Sequence, residues 1–320
     1  MTDNINNTSD SSILENTSFI WRFIAGTVVM FIGFIGNLTT CLVIIFSRKL
    51  HTPTYTAIAL LALSDLLALT VRYVDTFYDL YMDVFFDVYY IIWGFVYFAI
   101  HASCAHIVLL FYVRYRLVVS PLLSLSRFKP ARVLRISCFL WALSIIFGYS
   151  YGCFSYYVDV AETGSKPVTL STAYIVDGVI ALSLMVLPIC IIMLFHFKKF
   201  VIIRLSNSSS AVRLSNQMTI IVAMIIVIHC ASILPFCLYA WLEVYLQIKK
   251  EALAIDTKLF RDISIAMFFL NHTINPIIYF VWSMRRRGNT SPRRRITSPG
   301  IRSVSGSVSE TRDSVFSHLN

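Results

Sequence analysis

Residues 60–70 read LLALSDLLALT. One carboxylate, Asp65, stands in the middle of an apolar run that extends from Thr54 to Leu80. That run exceeds the roughly 20 residues an α-helix needs to cross about 30 Å of hydrocarbon. An acid at the centre of such a helix costs about 2.5–3.5 kcal/mol to insert. Asp65 therefore has to face the interior of a bundle and find partners there. The stretch implies other membrane helices around it.

Six further segments are long and apolar enough: Phe19–Phe46, Val88–Val119, Val133–Tyr157, Ser171–Phe197, Met218–Leu246 and Arg261–Trp282. The whole chain is 57% hydrophobic and 14% charged, with a mean hydropathy of +0.72. Soluble domains have about 45–50% and about 25%. The short alternating segments of a membrane β-barrel are missing, which leaves helices as the way to satisfy the backbone in lipid. The expected fold is an all-α membrane protein, a seven-transmembrane helix bundle.

Charge sets the orientation. With the N-terminus outside, 20 of the 27 Lys and Arg fall on the inner side. The outer side keeps seven basic residues against fourteen acids, a net of −7. The opposite topology would break the positive-inside bias. The expected location is the plasma membrane, crossed several times. Three regions follow: an extracellular tail over 1–18, the bundle over 19–287, and a disordered cytoplasmic tail over 288–320, rich in Ser, Thr and Arg. Asn6, Asn7 and Asn16 each begin an Asn-x-Ser/Thr sequon in the outer tail and are candidate glycosylation sites. No cleavable signal peptide is expected, because the first apolar run is too long for one. Ser291 and Ser298 precede prolines near arginines, a pattern that suits kinases. The formal charge of +10 forms a cytoplasmic fringe suited to anionic lipid. It lacks the interleaved aromatics of a nucleic-acid site.

Inside the membrane the polar residues carry the information. Asn37, Ser103, Asn271 and Asn275 lie at depths that match Asp65, and Asn271 and Asn275 share a helix face. Hydroxyl, amide and carboxylate oxygens together are a hard-oxygen set able to hold sodium. The alternative is a watered polar network that only ties helices together. Pro188, Pro235 and Pro276 interrupt spans five, six and seven and favour kinked helices that change shape. The histidines at 101, 106, 196, 229 and 272 match no metal motif and read as packing residues. No cofactor other than sodium and no enzymatic constellation is expected. Among the seven cysteines only Cys153 nears the outer surface, so no disulfide framework is expected.

Gly36–Asn37, LALSD ending at Asp65, Arg114–Tyr115, Trp141, Pro188, Pro235 and NPIIY at 275–279 occur in order, one set per span. Over residues 19–285 the chain resembles the rhodopsin-like (class A) G-protein-coupled receptors. The resemblance implies a receptor that activates heterotrimeric G proteins, with kinases and arrestin as partners of the tail. Asp65, Ser103, Asn271 and Asn275 would form the family's sodium-water cluster. Arg114, Tyr115, Pro235, Asn275, Pro276 and Tyr279 would serve activation and coupling. Departures mark a divergent member, with an invertebrate neuropeptide-type receptor as the expected subtype. Val113 replaces the usual acid before Arg114, Ser232-Ile233-Leu234-Pro235 replaces Cys-Trp-x-Pro, and His196 replaces a tyrosine.

Val96 stands where amine receptors carry aspartate, and Phe269 where opsins carry lysine. Both subclasses are disfavoured. Arg72, Asp75 and Asp79 line the outer half of span two, with Trp93, Tyr97 and Tyr239 as aromatic walls. Together with Val96 they form the candidate ligand site. Two carboxylates on a negative outer face suit a cationic peptide. Mutual neutralisation of Arg72 and Asp75 is the competing reading. A small-molecule chemosensor is the next alternative. A transporter is the rival of a different class, although the prolines show none of the inverted pairing such carriers display.

Overall fold

Lipid offers the backbone no hydrogen-bond partners, so an apolar run in this chain has to close its bonds within itself as a helix. The computed structural model describes residues 3–81, 86–119, 128–163, 175–176, 178–180, 182–205, 224–239, 241–242, 245–246 and 257–288, with side chains at several helix ends outside the description. Among these residues seven helices follow one another: α1 Asp3–Phe46, α2 Pro53–Tyr81, α3 Phe86–Val119, α4 Pro130–Thr163, α5 Leu187–Leu205, α6 Met224–Tyr239 and α7 Thr257–Gly288. A short 3-10 turn, Arg48–Leu50, joins α1 to α2, and a π turn, Leu182–Val186, precedes α5. Each helix corresponds to one expected span, so the seven-helix fold stands. Five carry an apolar stretch long enough to cross a membrane by themselves. Span six continues at both ends into residues outside the description. Span seven is long enough at 32 residues but carries Asn271, His272, Thr273 and Asn275 in its middle.

Over the expected outer tail, 1–18, the backbone from Asp3 onward is part of α1, whose apolar stretch begins at Gly26. Once nucleated, a helix extends at one bond per residue fixed. Asn6, Asn7 and Asn16 thus fall on helix backbone, with their side chains outside the described residues, as is the tail from 289 onward. Residues Met1–Phe280 form one compact unit, and the contacts below lie within it.

α3 is the central pillar. Within its apolar stretch 72% is buried in the protein, against 28% for α1 and 22% for α4. It touches α2, α4 and α5, and Val96, Tyr97, Ile100 and Cys104 contribute to a core with Leu184, Ile233 and Phe268. Since lipid tails are as apolar as leucine, tight packing and interhelical hydrogen bonds have to hold such helices together. At the α3–α4 crossing both devices are present. A methyl group added to Gly148 would stand 2.5 Å from the Gly94 carbonyl oxygen and 2.5 Å from Phe98 Cβ. Only glycine allows this approach. Along the same seam His101 Nδ1 lies 2.9 Å from Ser144 Oγ. The Ser144 hydroxyl already donates to Leu140, so the imidazole donates here. His106 donates from Nδ1 to the Ala102 carbonyl at 2.7 Å and accepts from Ser137 at Nε2, also 2.7 Å.

Two of the three prolines free carbonyls that a neighbouring helix captures. Pro188 has no N–H for the carbonyl of Leu184, and His229 of α6 donates to that oxygen at 3.0 Å. Pro276 likewise releases the carbonyl of His272, which accepts from Asn37 Nδ2 of α1 at 2.9 Å. Gly36, one residue before, lets Pro276 approach, since a Cβ there would lie 3.1 Å from the proline ring. At Pro235 the proline's own carbonyl accepts from Ser264 of α7 at 3.1 Å. All seven cysteines are free.

Gly148→Val should destabilise the purified protein by about 1–3 kcal/mol through overpacking. Gly26→Val should cost far less, because a Cβ at Gly26 meets no atom within 4 Å. Thermal unfolding of both variants checks this; equal melting would refute the tight α3–α4 seam.

Candidate functional site

Asp65 is fully buried at the middle of α2. Its Oδ1 accepts from the Ser103 hydroxyl of α3 at 2.5 Å and from His272 Nδ1 of α7 at 2.8 Å. Its Oδ2 accepts from Asn275 Nδ2 of α7 at 2.8 Å. His272 Nδ1 also lies 3.3 Å from Ser103 Oγ. One carboxylate on α2 thus gathers three donors from two other helices, one from α3 and two from α7. An unpaired carboxylate could not remain ionised in such a place.

Of the three residues expected to join Asp65 in the cluster, Ser103 and Asn275 reach it and Asn271 does not. Asn271 is buried, but among the described residues it makes no hydrogen bond to Asp65 and its amide nitrogen has no partner. It lies beside His229 of α6. His272 takes the position, although from the sequence it reads as a packing residue. Helical spacing offered a signal: 272 stands three residues before 275 and therefore also shares its face. The choice between 271 and 272 depends on how α7 is rotated, which one sequence does not state.

At the outer end Arg72 pairs with Asp75 one turn along α2, and Asp75 is buried. The Arg72 guanidinium also lies over the Trp93 ring, 5.9 Å from its centroid. Mutual neutralisation is therefore realised, and Asp75 is a structural partner of Arg72 as well as a candidate ligand residue. Arg72, Trp93, Val96, Ile100, Phe236 and Phe268 line a cavity of ≈ 10 Å³, about the room of one water. Trp93 stacks on Tyr97, and Tyr97 packs onto Tyr151 of α4 with ring centroids 3.7 Å apart. Tyr239 of α6 packs on Phe260 of α7. Trp93, Val96 and Tyr97 come together; Tyr239 is held on the other side by α7. Asp79 lies on α2 with its side chain outside the description. A groove of ≈ 430 Å³ lies between α3 and α4, lined by Ile91, Phe95, Ile145 and Tyr149, all exposed to the surroundings of the bundle.

At the inner end Val113 is completely buried, while Arg114 is only partly so. Tyr115 stacks on Phe195 of α5 at 5.3 Å, and Tyr112 packs on the same ring at 5.7 Å. These rings bring α5 against α3 and set Lys199, itself buried, within electrostatic reach of Arg114. Pro276 is buried against α1, and Tyr279 lies on α7 with its side chain outside the description.

Residues 36–279 match the family described as 7 transmembrane receptor (rhodopsin family). Two curated relatives extend the similarity along the chain. Neuromedin-U receptor 2 of Rattus norvegicus is 24% identical over 298 residues, covering 86% of this chain and 75% of its own. Neuromedin-U receptor 2 of Mus musculus is also 24% identical, covering 86% of this chain and 74% of its own. The matched stretch includes every element that surrounds Asp65, from Asn37 on α1 to Asn275 on α7. The chain belongs to the rhodopsin family of seven-transmembrane receptors: it is a multi-pass plasma-membrane receptor and not an enzyme.

Proposed function

We propose that this receptor binds an extracellular peptide and activates a heterotrimeric G protein through the cytoplasmic ends of α3, α5, α6 and α7. The observation that carries the reading is the Asp65 junction, where one buried carboxylate fastens α2, α3 and α7 at once. A receptor needs an element with two arrangements whose balance a ligand can shift. A carboxylate with three donors, next to the proline of α7, is such an element.

The peptide is supported by the two relatives, receptors for neuromedin-U by name, and by the net negative outer side, which favours a cationic partner. A small-molecule chemosensor is less well supported, since neither relative is named for a small molecule and, among the described residues, the cavity beneath Trp93 holds only ≈ 10 Å³. A peptide can begin at the outer rim and open the helix ends as it binds. The coupling half rests on Arg114 and Lys199, two cations on adjoining helix ends that suit a carboxylate-bearing segment of the G protein. Kinases and arrestin at the tail remain part of the proposal on the sequence alone.

Screening peptides on cells that express the chain with a broadly coupling G protein should yield an agonist that raises nucleotide exchange. Arg114→Ala should then abolish the agonist response while peptide binding persists. An agonist response that survives Arg114→Ala at equal surface expression would refute the assigned coupling role.

Val113 leads to a second expectation. Without an acid beside Arg114 the inactive state lacks a local latch, so ligand-free exchange should be high. Val113→Asp should lower it about fivefold, the effect of an ion pair of about 1 kcal/mol. Because Val113 is buried, Val113→Asn is the matched control for shape and polarity. A basal rate unchanged by the aspartate, or lowered equally by the asparagine, would sink the latch.

A further inference from the structure

The sodium ion expected at Asp65 can be tested against the donor set. A hard cation needs several oxygen lone pairs converging on one point, at about 2.3–2.6 Å for calcium. Here the groups around the carboxylate present hydrogens. The Ser103 O–H, the His272 Nδ1–H and the Asn275 N–H all point at Asp65. A carboxylate accepts at about four positions, and three are taken. The wedge between Asp65 and Ser103, which a bridging cation would use, holds the imidazole nitrogen, 2.8 Å from Oδ1 and 3.3 Å from Ser103 Oγ. Asn271, the fourth oxygen source of the expected set, makes no hydrogen bond to the acid. Asp65 and His272 are both buried, so the imidazole cannot swing out to solvent without moving a helix. Phe268 packs edge-on against the same ring at 5.0 Å and confines it further. The residues present do not fit the ion.

We propose that His272 occupies the place of the cation, so that this receptor neither binds sodium at Asp65 nor responds to it. The imidazole N–H does from within the chain what an exchangeable ion would do from outside: it satisfies Asp65 and ties it to α7. The junction then has a fixed donor, and its strength does not follow the salt bathing the outer face. The tie is permanent unless α7 moves.

The test uses the full-length receptor, purified in detergent without ligand or G protein, so its result is independent of the proposed coupling. Thermal unfolding is measured in sodium chloride and in N-methyl-D-glucamine chloride at equal ionic strength. Wild type should melt at the same temperature in both. His272→Ser removes the imidazole and leaves a hydroxyl oxygen, so it should gain a sodium-specific rise of about 2–4 °C, the scale of a ligand at a few times its Kd. Adding Asp65→Asn to that variant should abolish the rise. A sodium-specific rise in wild type that Asp65→Asn removes would overturn the proposal, whether or not the His272 variants fold. So would the absence of any gain in folded His272→Ser and His272→Ala receptors.

Discussion

A carboxylate in the middle of a membrane helix has to be satisfied by its neighbours or be neutralised, and the packing of this receptor follows from how Asp65 is satisfied. Its two oxygens take hydrogens from Ser103, His272 and Asn275. That fixes the rotation of α3, since Ser103 has to face α2, and of α7, which supplies donors at two positions three residues apart. α1 joins through the backbone of the same residue, because Asn37 captures the His272 carbonyl. Residue 272 therefore speaks to α2 with its ring and to α1 with its carbonyl. Four helices meet around one acid.

The prolines gain meaning from the same geometry. A proline in a helix usually leaves a carbonyl without its partner, and here such carbonyls become sockets for neighbouring side chains. His229 binds the Leu184 carbonyl ahead of Pro188, and Asn37 binds the His272 carbonyl ahead of Pro276. Interhelical hydrogen bonds in membranes average only about 0.6 kcal/mol, so each socket can open at small cost. α6 is held to α5 by His229 and to α7 by Ser264 on the Pro235 carbonyl. Outward movement of α6 has to break both bonds. Two weak pins on a helix that carries a proline are compatible with switching in a way that a continuous apolar seam would not be.

Asp65, Ser103 and Asn275 were legible because a polar atom inside an apolar run is expensive and has to be explained. Pro188 and Pro276 were legible for a similar reason, since each removes a backbone donor. The Arg72–Asp75 pairing was open to view as an i, i+3 neighbour. The histidines were not legible. Nothing in their spacing says that His101 meets Ser144, or that His106 meets Ser137, because the partners lie on another helix and depend on how closely α3 and α4 approach. That approach depends in turn on Gly94 and Gly148, whose role appears only when both backbones are in place. His272 was hidden by its neighbour: residues 271 and 272 differ by about 100° around the axis, and the rotation of α7 decides which one faces Asp65. Its ring nitrogen, a donor, changes what the cluster can hold.

The outer cavity and the Asp65 junction share a wall. Phe268 lines the cavity beneath Arg72 and Trp93, and it also packs edge-on against His272. Val96 and Ile100 line the same cavity about two turns and one turn above Ser103 on α3. A cavity of ≈ 10 Å³ cannot accept even one ligand side chain as it stands. Any group that enters has to displace Phe268, Phe236 or Trp93, and interiors packed like this shift between discrete arrangements instead of yielding gradually. Displacing Trp93 would cost the cation–π contact with Arg72. Displacing Phe268 would press directly on the imidazole that holds Asp65. The second route needs no chain of intermediates, because one ring touches both the entry and the latch. Phe268 therefore couples the outer cavity to the donor that holds Asp65: the cavity cannot widen on that side without moving the ring that packs on His272.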